Sequence, residues 1–225
     1  MNILVTGGAG FIGSHLVDTL VEAGHDVTVL DDLSSGRKEY VNQAARFCQG
    51  DVRDTEALDR LFAGTAFDVV FHGADKTQAP CSMLHPREEA DVSILGLINV
   101  LEHCRRHDVK KILLSSSAAV YGNQEKGLAD ETAPVQPQSF YGLTKAAAEA
   151  YAALYHRMYG LPYAVLRYAN VYGERQGSGT EDGVVSLFSR ALAAGNPMTI
   201  YGDGNQSRDF IYVRDAASAS VADKQ

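Results

Sequence analysis

Tyr141 and Lys145 are the residues whose types and spacing most readily do chemistry. Four positions apart on a helix, they share one face, a turn apart. An ammonium there stabilises phenolate, lowers the tyrosine pKa and lets the side chain act as a base near neutral pH. A Tyr-x-x-x-Lys spacing arises by accident on many helices, so its weight comes from its surroundings. The pair follows an apolar strand, Val109 to Leu114, closed by Ser115, Ser116 and Ser117. Ser117 can hydrogen-bond the same substrate oxygen that Tyr141 deprotonates.

Such groups need a sheet whose strand ends face one crevice, and the start of the chain supplies it. The apolar run Ile3-Leu4-Val5 stops at Thr6, and glycines follow at positions 7, 8, 10 and 13. Apolar residues then continue at helical spacing (Ile12, Leu16, Leu20, Ala23). This is strand, glycine turn, helix. Gly7, Gly10 and Gly13 serve a tight turn, close approach of backbone N–H groups to a pyrophosphate, and close helix–strand packing. The phosphates would sit at the helix N-terminus, where orphan N–H groups and the dipole favour anions. A second strand, Asp26 to Leu30, ends at Asp31, at about the twenty-residue separation expected of an acid that bonds the adenosine ribose. A carboxylate there repels a 2′-phosphate, which favours NAD over NADP. The polar loop Asp32-Leu33-Ser34-Ser35-Gly36 is placed to wrap the adenosine. Asp51, after a short strand Arg46 to Gln49, sits at another strand end facing the crevice.

The remaining elements alternate. A helix runs from Thr55 to Phe62 with Asp54 as N-cap, then a strand from Asp68 to Phe71. One long helix is expected from Pro86 to Arg106, with a basic end suited to its dipole. After the Val109 strand comes a helix from Ser139 to Tyr159, stopped by Gly160, and a strand from Pro162 to Arg167. Beyond these lie a helix from Gly183 to Ala194, a short strand from Met198 to Tyr201, an extended piece from Phe210 to Val213 and a helix from Ala216 to Ala222. The pattern predicts a Rossmann-like α/β fold, a doubly wound parallel sheet with right-handed crossovers. Residues 1–168 would form the NAD-binding domain and 169–225 a partial, smaller substrate lobe. Ile94, Ile98, Leu101, Tyr151, Leu154, Tyr155 and Met158 read as mostly core.

Composition excludes other classes. A net charge of −8 and a pI near 5.3 argue against nucleic acid or an anionic membrane as partner. At 45% hydrophobic, the chain can bury one sizeable core. Three cysteines without CxxC spacing read as reduced thiols. The absence of a leader-like start or a membrane-length apolar run completes the expectation of a soluble cytoplasmic protein. Glu102, His103, Cys104 and His107 are ligand-like types, but beside Arg105 and Arg106 they read as a solvated basic helix end, and no metal is expected. Cys81, in a loop without an activating partner, is expected to be inert.

TGGAGFIG, Asp31, Asp51-Val52, SSSAAVYG, YGLTK and LRYANVYGERQ together resemble the extended short-chain dehydrogenase/reductases, the NAD-dependent epimerase/dehydratase family. Within it they are most similar to the UDP-hexose 4-epimerases, and the resemblance covers essentially the whole chain. It implies Ser117, Tyr141 and Lys145 as the catalytic set. On NAD it implies the glycine loop with Phe11 and Ile12, Asp31 with the loop to Gly36, Asp51 and Val52. The same side takes His72, Ala74, Ser93, Ser115 and Tyr168, besides Tyr141 and Lys145. His72, at a strand end, is read as structural rather than a general base. Asn170 and Arg208, with Ser117, are implied as substrate contacts, the first two to the nucleotide diphosphate. Dehydratases of the superfamily carry an acid just after the serine, whereas this chain has Ala118-Ala119, which favours epimerisation. A homodimer through two long helices is also implied. Two positions depart from the family pattern. Asp75 adds a carboxylate, unfavourable near the cofactor unless Lys76 pairs with it, and Ser93 replaces a cofactor-side asparagine. The resemblance stops at Gln225, short of the elements with which members close over the sugar.

Overall fold

Short apolar runs with two-residue alternation assemble one parallel sheet: β1 (Asn2–Thr6), β2 (Asp26–Asp31), β3 (Arg46–Gln49), β4 (Val69–His72), β5 (Lys111–Ser117) and β6 (Tyr163–Tyr168). Their order is β3-β2-β1-β4-β5-β6, so the chain reverses its direction of winding between β1 and β4. A crevice opens beyond the carboxyl ends of strands at such a point. The computed structural model describes residues 1–76, 79–123, 129–177 and 183–222, with backbone alone at 79–81.

Helices cover both faces: α1 (Phe11–Glu22), α2 (Thr55–Gly64), α3 (Ala79–Leu84), α4 (Pro86–Ala90), α5 (Leu97–Arg106), α6 (Phe140–Tyr159), α7 (Val184–Ala193) and α8 (Val213–Ala222). Alternation along β1 divides the core. Ile3 and Val5 pack with Leu16 and Leu20 of α1, while Leu4 faces Leu58 of α2 and Leu97 and Leu101 of α5. A second, two-stranded parallel sheet joins β7 (Asn170–Tyr172) to β8 (Phe210–Tyr212). Fully buried Ala216 and Ala217 let α8 lie close against α1. Part of the 169–225 stretch is thereby built into the main body.

Local signals act as expected at several ends. The Asp54 carboxylate accepts from Ala57 N at 3.0 Å, and Ser139 Oγ caps α6 by accepting from Gly142 N at 3.0 Å. Gly160 ends α6 with φ +74°.

Other expectations are corrected. The helix foreseen from Pro86 to Arg106 is interrupted by a wider π turn over Asp91–Gly96, where Ser93 turns inward to buried acids. Met198 to Tyr201 forms no strand: Ile200 and Tyr201 are exposed and pair with no strand among the described residues. The segment around Cys81 is helical rather than loop, and that side chain lies outside the described residues. His103 and Cys104 are buried rather than solvated, because α5 presses them against Phe62 of α2. His103 Nδ1 bonds Asn99 O at 2.6 Å and Nε2 bonds Asp59 Oδ1 at 2.9 Å. Leu154 and Met158 are exposed, because α6 turns Ala152 rather than these two into the core. No helix among the described residues is long and apolar enough to cross a membrane.

Candidate active site

The glycine loop is fixed by approaches that no side chain would permit. Gly7 has φ +72°, and a Cβ on it would lie 2.7 Å from the backbone of Gly73 and Ala74. A Cβ on Gly13 would fall 2.1 Å from the Gly7 carbonyl oxygen. Thr6 closes the far side, its Oγ1 lying 3.3 and 3.2 Å from the Gly73 and Ala74 N–H groups that donate to it. Helix α1 begins at Gly10 with no side-chain cap and no acid in its first turn, so its orphan N–H groups suit an anion. Asp31 is buried, and its two oxygens accept from Ala9 N and Leu33 N, both at 2.9 Å. Burial, opposed by those two bonds, raises its pKa. Each carboxylate oxygen keeps a lone pair for a ribose hydroxyl. Turn, helix end and acid together fit the pyrophosphate and adenosine ribose of NAD.

A cleft of 530 Å³ runs across the switch point. Gly7, Gly10, Phe11, Ile12 and Gly13 line it from the loop, and Asp31, Asp32, Ser34 and Ser35 from the end of β2. Asp51 and Val52 follow β3, Ala74 follows β4, and Ser115, Ser117, Tyr141, Lys145, Tyr168 and Asn170 complete the other end. The Arg53 guanidinium, 2.6 Å from the Asp51 carboxylate, lowers that acid's pKa.

Five expected cofactor or substrate residues lie off this lining. Leu33 (φ +62°) and Gly36 instead shape the pocket of Asp31. His72 points into the body, its Nδ1 paired with Thr6 Oγ1 at 2.9 Å, and burial lowers its pKa to about 4. Ser93 is buried against Asp75 and Glu89. Arg208 is exposed, its Nη1 donating to Ser207 O at 2.8 Å. Asn170 is on the lining, yet its Nδ2 donates to Asp209 O at 2.9 Å. Conversely, Arg53, Lys76, Val92, Tyr172 and Gln176 line the cleft and were not foreseen. Arg53 carried a usable signal, standing two positions after a strand-end acid.

The serine, tyrosine and lysine converge. Register aligns Ser117 of β5 with Tyr168 of β6. Helix α6 starts so close to the turn after β5 that a Cβ on Gly142 would lie 2.7 Å from Ala119 O. Below it, Arg167 Nη2 meets Glu149 Oε2 at 2.7 Å and Ser116 Oγ donates to Glu149 Oε1 at 2.6 Å, bracing β5 and β6 on α6. Lys145 Nζ donates to Ser115 O at 2.6 Å, lies 5.8 Å from the Tyr141 ring centre and ion-pairs with Asp75. Asp75 thus pairs across the cleft with Lys145, while Lys76 offers it only a backbone N–H, at 2.8 Å. Burial opposes the Lys145 charge, but Asp75, Tyr141 and Glu89 outweigh it and raise the lysine pKa. Tyr141 departs from expectation: burial, with Asp75 and Glu89, raises its pKa despite Lys145 and a Ser117 hydrogen bond.

A dinucleotide cradle and a Ser–Tyr–Lys cluster thus share one cleft. The sequence of the chain matches the NAD dependent epimerase/dehydratase family over residues 3–222. The fold superposes on a UDP-glucose 4-epimerase of Thermotoga maritima, solved with UDP-glucose, at TM-score 0.95 and 43% identity, covering 98% of this chain and 72% of that one. A Thermus thermophilus UDP-glucose 4-epimerase complexed with NAD gives TM-score 0.95 and 41% identity over 99% and 74% of the two chains. A UDP-N-acetylglucosamine 4-epimerase of Methanobrevibacter ruminantium gives 0.93 and 37%, over 99% and 72%. On fold, motifs and extent of match, the chain belongs to the NAD-dependent epimerase/dehydratase family.

Proposed function

We propose that the protein epimerises C4 of a UDP-hexose, with UDP-galactose and UDP-glucose as the exchanged pair and NAD as resident cofactor. The observation that carries this reading is the convergence of Ser117, Tyr141 and Lys145 on the cleft that holds the glycine loop and Asp31. The first turn of α1 receives the pyrophosphate, and Asp31 orients the adenosine ribose. NAD, when bound, supplies the acceptor and donor of the hydride at sugar C4. Ser117 Oγ aligns the 4-hydroxyl, and Tyr141 Oη takes its proton and later returns it. Lys145 stabilises the phenolate between those steps. The 4-keto sugar turns in the cleft so that either face is reduced, and no net proton or electron is consumed. Ala118 and Ala119, in the turn after Ser117, offer no carboxyl for elimination.

Asn170, on the cleft lining, is the candidate contact to the diphosphate, and exposed Arg208, off that lining, would have to move to join it. Exposed Leu143, Leu154 and Met158 on α6, and exposed Leu95 on the π turn that packs against α6, support a homodimer, which sedimentation would test. Free Cys48 and Cys104 suit a reducing cytoplasm. The second reading is a 4-epimerase of UDP-N-acetylhexosamines, favoured by the Methanobrevibacter neighbour. Protein purified without added cofactor, incubated with UDP-galactose and separately with UDP-N-acetylglucosamine, separates the readings. Formation of UDP-glucose with NAD released on denaturation supports the first. Conversion of the N-acetyl sugar alone supports the second. Released NAD with neither conversion removes both.

A further inference from the structure

Two acids behind the catalytic lysine have no part in the steps above. Asp75, leaving β4, is as buried as its partner, with side chains 7% and 8% exposed for Asp75 and Lys145. One oxygen meets the ammonium, and the other accepts from Ser93 Oγ and from Lys76 N. Ser93 Oγ also lies 3.2 Å from Glu89 Oε1 on α4. Thr144 Oγ1 is 3.0 Å from that same oxygen and 2.9 Å from the Tyr141 carbonyl. Glu89 is 2% exposed.

Each hydroxyl has one proton to give, so Ser93 divides its O–H between the Asp75 carboxylate and Glu89, and Thr144 divides its own between the Tyr141 carbonyl and Glu89. Burial and the charge of Asp75 raise the Glu89 pKa, against the hydrogen bonds from Thr144 and Ser93 and the charge of Lys145. Asp75 is the acid that ion-pairs with Lys145, and Glu89 stands behind it on the far side of the Ser93 hydroxyl.

We propose that Asp75 is a positioning residue for the reaction, pinning Lys145 against the Ser115 carbonyl and offsetting part of its charge at Tyr141, with Glu89 holding the Ser93 hydroxyl that braces Asp75. The proposal rests on the reading of Tyr141 as the acid–base group. Lys145 faces Tyr141 from α6, Ser117 from β5, Asp75 from the exit of β4 and Glu89 from α4, while His72 stays uncharged behind them. Removing the Asp75 charge leaves Lys145 and Ser117 to favour the phenolate with less opposition.

Asp75→Asn keeps the shape and removes the charge. The phenolate of Tyr141 is isolated by ultraviolet difference titration, each protein against the same protein carrying Tyr141→Phe, without cofactor or substrate. Asp75→Asn is expected to lower the Tyr141 midpoint by about one pH unit, and Glu89→Gln to move it much less. The acid limb of kcat should shift in the same direction, with KM for the UDP-sugar little changed. An unmoved midpoint in Asp75→Asn, or an equal movement in Glu89→Gln, overturns the proposal. Should Asp75→Asn not fold, Asp75→Ala carries the same expectation. If the native protein interconverts no UDP-sugar, the proposed function fails while the titration still decides the role of Asp75.

Discussion

Acidification should expose the cost of keeping His72 uncharged. His72, on β4 between β1 and β5, is 8% exposed and bonded at Nδ1 to Thr6 Oγ1 at 2.9 Å. Burial lowers its pKa from 6.5 to about 4; Asp75 opposes the shift and Lys145 adds to it. Because the folded value is depressed, the unfolded chain takes up a proton first as pH falls. The neutral ring's contribution is complete above pH 6.5 and drains away down to about pH 4, where the folded protein is protonated too. The separation of the two pKa values corresponds to about 3 kcal/mol of stability lost across that window. His72→Asn places an amide near the Nδ1 position and cannot charge. Urea unfolding through the window, for native protein and variant, isolates the effect, since Asp31, Glu89 and the other carboxyls titrate in both. The native protein should lose about 3 kcal/mol more than the variant. Parallel loss in the two proteins would refute the argument, placing the His72 titration in the fold near its ordinary value. The same neutrality makes His72 unsuited to donate a proton in the cleft.

Tyr141→Phe should cut turnover about a hundredfold to ten-thousandfold while the purified protein retains its NAD; retained turnover would remove Tyr141 as the base. Gly13→Ala drives a methyl to within 2.1 Å of a backbone oxygen, so cofactor content and melting temperature should both fall. Full NAD occupancy in that variant would show that the loop can move aside.

Much of the site could be read from short-range pattern. The strand–glycine turn–helix and the caps at Asp54 and Ser139 depend on residues within a turn or two of one another. Their physics is complete before the chain folds back. The Tyr141–Lys145 spacing belongs to the same category, and the crevice it faces followed from alternating strands and helices. The limits appear where a partner comes from another element. A strand at Met198–Tyr201 needed a neighbouring edge, and tertiary packing offered none. His103 and Cys104 looked solvated beside two arginines until α2 covered them. Tyr141 was expected to be an acidified phenol from one adjacent cation, whereas burial and two acids from other elements reverse the sign. The carboxylate of Asp75 stood out as foreign to the family pattern, yet its natural partner seemed to be adjacent Lys76. Only the register of β4 against β5, with α6 laid over their ends, brings Asp75 to Lys145. Charge interactions follow distance and dielectric rather than sequence separation, and both are set only when the elements pack.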